Sequence, residues 1–286
     1  MTGSAGSVGA RPARSPERLR AHYRVERKLA DRLRRAPDAE SRRRIFATMY
    51  DDLFREVPDH PRLRAGAEAL AKRERDIGWD LAQLRPYLEE GCTFLEVGAG
   101  DCALSARVAE GASTVYAVDI SDQAVRPLPP NVKLCLSDGR SIPVPEGSVD
   151  LAFSDQLMEH LHPDDALAQL ANIRRCLRPG GAYVCVTPNR LYGPTDVSGA
   201  YDEVATGFHL REYSLREVRD LFSRAGFRDL EVFVGARGHY ARTPAAPLEA
   251  IESALERLPH RARRRIAGTK PMRALLGVRV AARRTA

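Results

Sequence analysis

A short apolar segment that runs into a glycine turn constrains the fold of this chain more than any other feature. Phe94, Leu95 and Val97 precede Gly98 and Gly100, and an alanine-rich segment follows. A brief apolar run bounded by glycines is typical of a parallel strand that is covered on both faces. Glycine can adopt positive φ and has no Cβ, so a ligand can approach the backbone of the turn closely. The order of strand, turn and helix therefore predicts a nucleotide-binding crevice in an α/β fold.

Three acidic residues stand where successive strands are expected to end around this turn. Glu96 lies just before the first glycine, and Asp119 and Asp138 each end or follow a later apolar segment. An acid at the position of Asp119 can accept hydrogen bonds from both hydroxyls of a ribose. Glu96 would repel a pyrophosphate but suits a ligand with positive charge. Since Ala103 also stands at the third glycine position of G-x-G-x-x-G, the acids predict a cationic nucleoside rather than a dinucleotide.

These features resemble the motifs of class I S-adenosylmethionine-dependent methyltransferases. The resemblance covers roughly residues 75 to 235, and it implies S-adenosyl-L-methionine as the cofactor and methyl transfer as the reaction. Cys102 departs from the family's pattern, because many relatives have a further glycine there. The matching motifs, in the family's order and spacing, are E-V-G-A-G-D at 96–101, V-D-I-S at 118–121, S-D-G at 137–139, S-D-Q-L-M-E-H at 154–160 and L-R-P-G-G at 177–181.

The resemblance also implies which residues contact the cofactor. Glu96 is expected near its methionine end, Asp119 at the ribose, and Asp138 at the adenine. The segment after the fourth strand is expected beside the reacting methyl group. The predicted cofactor-binding residues are Glu96, Gly98, Gly100, Asp119, Ile120, Asp138, Gly139, Asp155 and Gln156.

Catalytic and substrate-binding candidates follow the fourth and fifth strands. A general base is needed only where the acceptor must lose a proton, and histidine can accept one near neutral pH. His160 and His209 are therefore the catalytic candidates. Arg190 and Tyr213 are candidates for substrate binding, because a guanidinium can bind a carboxylate or phosphate. The structural alternative is that the histidines and Tyr213 pack in the fold, and that Arg190 pairs with an acid such as Glu212.

Alternating strand and helix patterns predict a doubly wound, mostly parallel, Rossmann-like α/β sheet of seven strands. The last strand is expected to be antiparallel. The predicted strands are 93–97, 114–118, 132–136, 149–154, 181–187, 230–234 and a seventh along the alternation of Leu276, Val278 and Val280.

The domain organisation follows from composition and helical periodicity. Residues 1–14 are predicted to be a disordered tail, and 15–90 an N-terminal helical cap of four short helices. Residues 91–286 are predicted to form the cofactor-binding domain, with a helical insertion at 236–270. By the resemblance, the cap covers the open side of the cofactor site and helps form the acceptor pocket; the alternative is that it only covers the sheet.

Charge and cysteine content narrow the class of protein. The net charge of +7 is uneven, with basic ends and an acidic centre, and this argues against a nucleic acid as the partner. No apolar run approaches the roughly 20 residues of a membrane span, and the start lacks a signal peptide's apolar core. The five cysteines form no C-x-x-C pair, so thiols in a reducing cytoplasm are expected. No metal site is predicted, because ligand spacing is absent beyond positions 160, 162 and 164.

Two segments narrow the expected acceptor. T-P-N-R-L-Y-G-P at 187–194 and G-F-H-L-R-E-Y-S at 207–214 resemble bacterial methyltransferases that act on small molecules, including those of natural-product pathways. We therefore expect a cytoplasmic small-molecule O-methyltransferase of bacterial secondary metabolism. An RNA or protein methyltransferase and a non-catalytic protein that binds the cofactor are the alternatives. Whether the chain forms a homodimer is open.

Overall fold

The computed structural model describes residues 14–63, 67–122 and 127–285 of the chain. The tail predicted at 1–14 lies outside these residues except for Arg14. A central β-sheet organises the described part. Its strands are β1 (Thr93–Val97), β2 (Thr114–Asp119), β3 (Val132–Leu136), β4 (Val149–Asp155), β5 (Leu177–Thr187), β6 (Arg228–Ala236), β7 (His239–Thr243) and β8 (Val278–Arg283).

The strand order is β3-β2-β1-β4-β5-β8-β6-β7. Strand β1 pairs in parallel with β2 and β4, and the parallel pairing continues to β3 on one side and β5 on the other. Strand β8 lies antiparallel between β5 and β6. The chain therefore winds outward from β1 to β3 and returns to β4, so the order reverses between β1 and β4. Ligands of such sheets bind at the carboxyl ends of the strands at this point. The predicted doubly wound, mostly parallel α/β fold is confirmed.

The sheet has eight strands within the described ranges, so the prediction of seven was wrong. The additional strand, β7, forms an antiparallel hairpin with β6 at the start of the segment predicted as a helical insertion. Arg237 and Gly238 connect the two strands and have φ of 56° and 84°. Tight hairpins favour positive φ, which Asn-Gly or Asp-Gly usually supplies. With arginine in the first position, the sequence carries no clear hairpin signal.

The helices before β1 are fewer and longer than predicted. The described residues form α1 (Pro16–Arg34), α2 (Ala39–Glu56) and α3 (Ala67–Leu84). The third and fourth predicted helices are one helix, α3, because the charged run at 72–76 joins their apolar segments without a helix breaker. Helices α1 and α2 share a buried cluster that includes Leu33, Met49 and Phe208. The N-terminal helices therefore pack against the loop that carries Phe208, which follows β5.

The later helices separate the remaining strands. Ser214 and Glu217 form a capping box at the start of α6, as their spacing of three residues indicates. Leu276 ends α9, so the last strand begins at Val278, two residues later than the alternating pattern predicted. These helices are α4 (Ala103–Val108), α5 (Pro163–Cys176), α6 (Leu215–Arg224), α7 (Ala245–Glu256), α8 (His260–Ala267) and α9 (Lys270–Leu276).

Strand β1 is buried on both faces, as its apolar run predicts. Leu95 and Val97 belong to one hydrophobic cluster, and Phe94 belongs to another that includes Leu84 and Leu104. Packing on both faces holds the carboxyl end of β1, and hence the glycine turn, in a fixed position. Among the helices of the described ranges, none is long and apolar enough to cross a bilayer.

Candidate active site

The turn after β1 requires glycine at two positions. Gly98 and Gly100 have φ of +82° and +56°. The N–H groups of Gly98 and Ala99 donate to the carbonyl oxygen of Val118, at 2.8 and 3.1 Å, which ties the turn to β2. A Cβ on Gly98 would lie 3.2 Å from Cδ1 of Leu157, whereas one on Gly100 would meet no atom within 4 Å. The turn is therefore packed against Leu157 at Gly98 and exposed to open space at Gly100. A ligand can approach the backbone at Gly100.

Cys102 lies beneath this turn and faces the protein interior. It has φ of 58° at the N-cap of α4, where its side chain makes no capping hydrogen bond. Burial, reinforced by the negative charge of Glu96, raises the pKa of its thiol to about 12. Cys102 is therefore a neutral packing residue.

Asp119 at the end of β2 is held by backbone N–H groups. Its Oδ2 accepts a hydrogen bond from Gly100 at 2.7 Å, and its Oδ1 accepts from Ile120 at 2.7 Å and from Ser121 at 3.2 Å. These bonds orient the carboxylate across the turn. Asp119 and Gly100, both predicted to contact the cofactor, are therefore brought together.

The predicted adenine side contains an apolar wall and an ordered acid. A Cβ on Gly139, which has φ of +83°, would lie 3.8 Å from Ile120 and 4.0 Å from Phe46. Asp138 accepts hydrogen bonds from the N–H groups of Ser141 at 2.6 Å and Arg140 at 3.0 Å. Partial burial would raise the pKa of Asp138, but these bonds lower it overall. Phe46, which comes from α2, was not predicted, because no local pattern indicates that it reaches this site.

The predicted methionine side is a cluster of carboxylates with raised pKa. Glu96 is 6% exposed and accepts a hydrogen bond from Ser105 Oγ at 2.6 Å; burial raises its pKa to about 7. Asp80 on α3 has its pKa raised to about 8 by burial and by the charges of Asp155 and Glu96. Asp155 is open to solvent, yet the surrounding crevice removes enough water to raise its pKa to about 6. In each case the removal of solvent raises the pKa by more than the nearby charge of Arg73 lowers it.

Two further residues border this acidic cluster. Arg73 on α3 donates to Asp101 Oδ1 at 2.5 Å, within reach of the charges of Glu96 and Asp80. Gln156 has φ of 51°, a conformation that is costly for a residue with a Cβ, and its N–H donates to Val186 at 2.9 Å. Such strain is typical of functional sites. Arg73 and Asp80 were not predicted, because no sequence spacing relates α3 to the strand ends.

The two predicted catalytic histidines lie side by side. Their rings are perpendicular, with centroids 4.8 Å apart. His160 Nδ1 is 3.0 Å from the carbonyl oxygen of Phe208, so this nitrogen carries the proton and donates it. His209 is 8% exposed, and its Nδ1 lies 2.7 Å from Glu212 Oε1. Burial would lower the pKa of His209, but Glu212 and neighbouring acids raise it overall.

Glu159 lies next to this pair and is fully buried. Its Oε2 accepts a hydrogen bond from Thr187 Oγ1 at 2.9 Å, whereas its Oε1 has no partner among the described residues. Burial raises the pKa of Glu159 to about 7. One ligand atom from each of Glu159, His160 and His209 lies within 4.8 Å of the other two. The sequence did not predict this cluster, because His209 comes from a separate loop.

The two predicted substrate-binding residues make structural contacts. Arg190 forms ion pairs with Glu217 at 3.2 Å and with Glu256, rather than with Glu212. Tyr213 is 1% exposed within the main hydrophobic core, and its hydroxyl has no partner among the described side chains. Burial raises the pKa of Tyr213 to about 12. The substrate-binding role of Arg190 and Tyr213 stays a prediction.

Comparisons with known proteins find methyltransferases that are similar to this chain. Residues 95–185 match the family model described as a methyltransferase domain. A probable S-adenosylmethionine-dependent methyltransferase of Mycolicibacterium smegmatis is 32% identical over 152 residues, which are 51% of this chain and 57% of that protein. The malonyl-[acyl-carrier protein] O-methyltransferase of Hahella chejuensis is 32% identical over 173 residues, or 56% of this chain and 59% of that protein. The chain thus spans little more than half the length of these curated relatives.

A solved structure shares the fold. A chain from the solved complex between the Haloferax volcanii Trm112 methyltransferase activator and "the putative methyltransferase" superposes with a TM-score of 0.53. The match covers 75% of this chain and 93% of that chain at 19% identity. At this identity the likeness concerns the fold alone.

Proposed function

Residues 95–185 form a class I S-adenosylmethionine-dependent methyltransferase domain, and from this premise we propose that the protein transfers a methyl group from S-adenosylmethionine to a small-molecule acceptor. The observation that carries the proposal is the acidic cluster beside the glycine turn. Burial raises the pKa of Glu96 to about 7, and burial together with the charges of Asp155 and Glu96 raises the pKa of Asp80 to about 8. A ligand with a sulfonium and an ammonium group would add positive charge beside these carboxyl groups and favour their ionised form.

The residues of the crevice fit this cofactor along its whole length. Asp119 and the open backbone at Gly100 suit a ribose, and the wall of Ile120, Phe46 and Gly139 suits an adenine ring. Arg73 and the acids beside it suit the carboxylate and ammonium of the methionine end. Bound S-adenosylmethionine supplies a methyl carbon that the adjacent sulfonium already activates for displacement. The protein's own task is then to align the acceptor and exclude water.

His160 is the better candidate of the two histidines for a general base. Its Nδ1–H is committed to Phe208, so Nε2 is the atom that would accept a proton from an acceptor hydroxyl. His160 is half-buried, whereas His209 is buried and bound to Glu212. His209 would then serve to position His160 through ring contact.

The proposal also covers the chemical class of the acceptor and the metabolic role of the reaction. We infer an oxygen acceptor, in agreement with the O-methyltransferase of Hahella chejuensis among the relatives, and a role in bacterial secondary metabolism in the cytoplasm. The packing of α1 and α2 against Phe208 supports an acceptor pocket formed between the N-terminal helices and the loop after β5.

Calorimetry with S-adenosylmethionine and S-adenosylhomocysteine tests the proposal. Wild type should bind both, and Asp119→Ala should lose most of this affinity, because the turn loses its carboxylate. Asp220→Ala, on the exposed face of α6, is the matched control and should bind normally. Absence of binding to wild type would refute the proposal. Binding without methyl transfer to any hydroxyl acceptor in a labelled-methyl screen would instead favour a non-catalytic cofactor-binding protein.

A further inference from the structure

We propose that Glu159, His160 and His209 bind a divalent transition-metal ion such as Zn²⁺. This departs from the sequence-based expectation of no metal, since the three residues come together only in the fold. Their ligand atoms lie within 4.8 Å of one another. Ligands held at about 2.0–2.2 Å from a metal are about 3–3.5 Å apart. Each side chain therefore needs to move by less than about 1 Å to close on an ion.

Nδ1 of each histidine lies next to an oxygen atom, as is common for histidines that bind a metal through the other ring nitrogen. The Nδ1–H of His160 donates to the carbonyl oxygen of Phe208 at 3.0 Å. Nδ1 of His209 lies 2.7 Å from Glu212 Oε1. Metal-bound histidines usually donate one ring N–H to a carbonyl or carboxylate, which fixes the ring and directs the other nitrogen to the metal. Both rings satisfy this pattern, one through a carbonyl and the other through a carboxylate.

The carboxylate of Glu159 gives independent support. Thr187 Oγ1 donates to its Oε2 at 2.9 Å, while Oε1 is buried without a partner among the described residues. Buried carboxylate oxygens are normally paired, because their desolvation is otherwise costly. A cation bound at Oε1 would satisfy this atom without moving Thr187.

The charges around the cluster favour a cation. Glu212 and Asp196 both act on His209 in addition to Glu159. Arg34 is a nearby cation, but its guanidinium donates to the carbonyl oxygens of Gly207 and His209 rather than to a ring. An ion at this position is therefore surrounded by more negative than positive side chains.

A second cluster of the same composition provides a contrast. His22, Glu26 and His60 also lie close together. However, Arg14 donates to Nδ1 of His22 at 2.6 Å, and both oxygens of Glu26 are engaged, one by His22 and the other by the N–H of Phe208. A guanidinium in contact with a ligand ring opposes binding of a cation. We expect no metal there.

The proposed ion would also bear on the reaction. Because His160 is half-buried rather than buried, an ion held there would have a coordination position for an acceptor oxygen. This consequence rests on the proposed methyl transfer, whereas metal binding itself does not. Coordination and proton acceptance would compete for Nε2 of His160, so a metal titration also decides between these two roles.

Titration of the chelator-treated protein with Co²⁺ and Zn²⁺ tests the site. Wild type should bind one equivalent, with Co²⁺ giving the absorption bands of a low-coordinate site and Zn²⁺ displacing it. Glu159→Gln and His209→Asn should each weaken binding by at least about 100-fold, and Glu212→Gln by about tenfold. His22→Gln should leave binding unchanged. Circular dichroism and melting of each variant separate loss of the site from loss of the fold.

Three results would overturn the proposal. They are absence of Co²⁺ and Zn²⁺ binding to wild type, unchanged binding in folded Glu159→Gln, and equal loss in His22→Gln. Because the readout is an absorption band, it is independent of turnover. A protein that binds S-adenosylmethionine but no metal would disprove this site while leaving the proposed function intact.

Discussion

Replacing Glu96 with glutamine should stabilise the cofactor-free protein and weaken cofactor binding. The carboxyl group is buried, and its pKa of about 7 in the folded protein compares with 4.5 for an unperturbed glutamate. Each pKa unit corresponds to about 1.4 kcal/mol, so ionised Glu96 costs the fold about 3 kcal/mol at pH 8. Glutamine keeps an oxygen that can accept the hydrogen bond from Ser105. The variant therefore removes the charge with little other change.

The sign of the pH dependence follows from this raised pKa. The folded protein binds a proton that the unfolded chain has released above pH 4.5. The stability that protonated Glu96 contributes is thus complete below pH 4.5 and is lost as the pH rises through about 7. The unfolding free energy of Glu96→Gln should exceed that of wild type by up to about 3 kcal/mol at pH 8, and the difference should vanish near pH 4.5.

Urea denaturation from pH 4.5 to 8.5 measures this difference, and calorimetry with S-adenosylmethionine measures the opposite effect on binding. Wild-type affinity should increase by up to tenfold per pH unit as Glu96 ionises, whereas the affinity of the variant should be weaker and less dependent on pH. Glu90→Gln, at an exposed position, is the control. A variant that is less stable than wild type at pH 8, or a difference that does not change with pH, would refute the reasoning.

Three further predictions concern the turn, the adenine wall and the N-terminal helices. Gly98→Ala should lose about 1–2 kcal/mol of stability and most cofactor affinity, because its φ is +82° and its Cβ would press on a neighbouring side chain; Gly111→Ala, with open space, is the control for both assays. Phe46→Leu should weaken S-adenosylmethionine binding roughly fivefold in calorimetry, about 1 kcal/mol, while Phe54→Leu on the same helix should not. Burial would raise the pKa of Glu26, but its bonds to two histidines lower it to about 2. Ionised Glu26 therefore contributes up to about 3 kcal/mol to the free energy of unfolding above pH 4.5, and this contribution is lost as the pH falls towards 2. In urea denaturation, the difference in stability between wild type and Glu26→Gln should disappear between pH 4.5 and pH 2.

Local patterns in the sequence were sufficient to predict the elements that depend on short-range physics. The glycine turn at Gly98 and Gly100 and the capping box at Ser214 are determined by backbone conformation and neighbouring hydrogen bonds. The alternation of strand and helix patterns was sufficient to predict a doubly wound, mostly parallel sheet. Strand β7 escaped prediction because its turn uses Arg237 in a conformation that glycine or asparagine normally adopts.

The unpredicted part of the site depends on contacts between distant segments. Asp80 and Phe46 reach the crevice from helices that precede β1, and nothing in their local sequence indicates which way they face. Arg190 illustrates the opposite case. Arg190 lies in a polar loop and was predicted to bind substrate, but it pairs with Glu217 and Glu256. These two acids lie near Arg190 only because α6 and α7 pack together.

Phe208 joins parts of the chain that are far apart in sequence. Its N–H donates to Glu26 on α1, its ring packs against Tyr50 on α2, and its carbonyl oxygen accepts from His160 after β4. A substitution on the outer helices can therefore shift the imidazole of His160 without touching it. If the proposed methyl transfer is correct, directed evolution towards new acceptors would gain most from libraries in α1 and α2 that keep Phe208 unchanged. Phe208 would pass small changes in these two helices to His160 and leave the ends of β1 and β2 untouched.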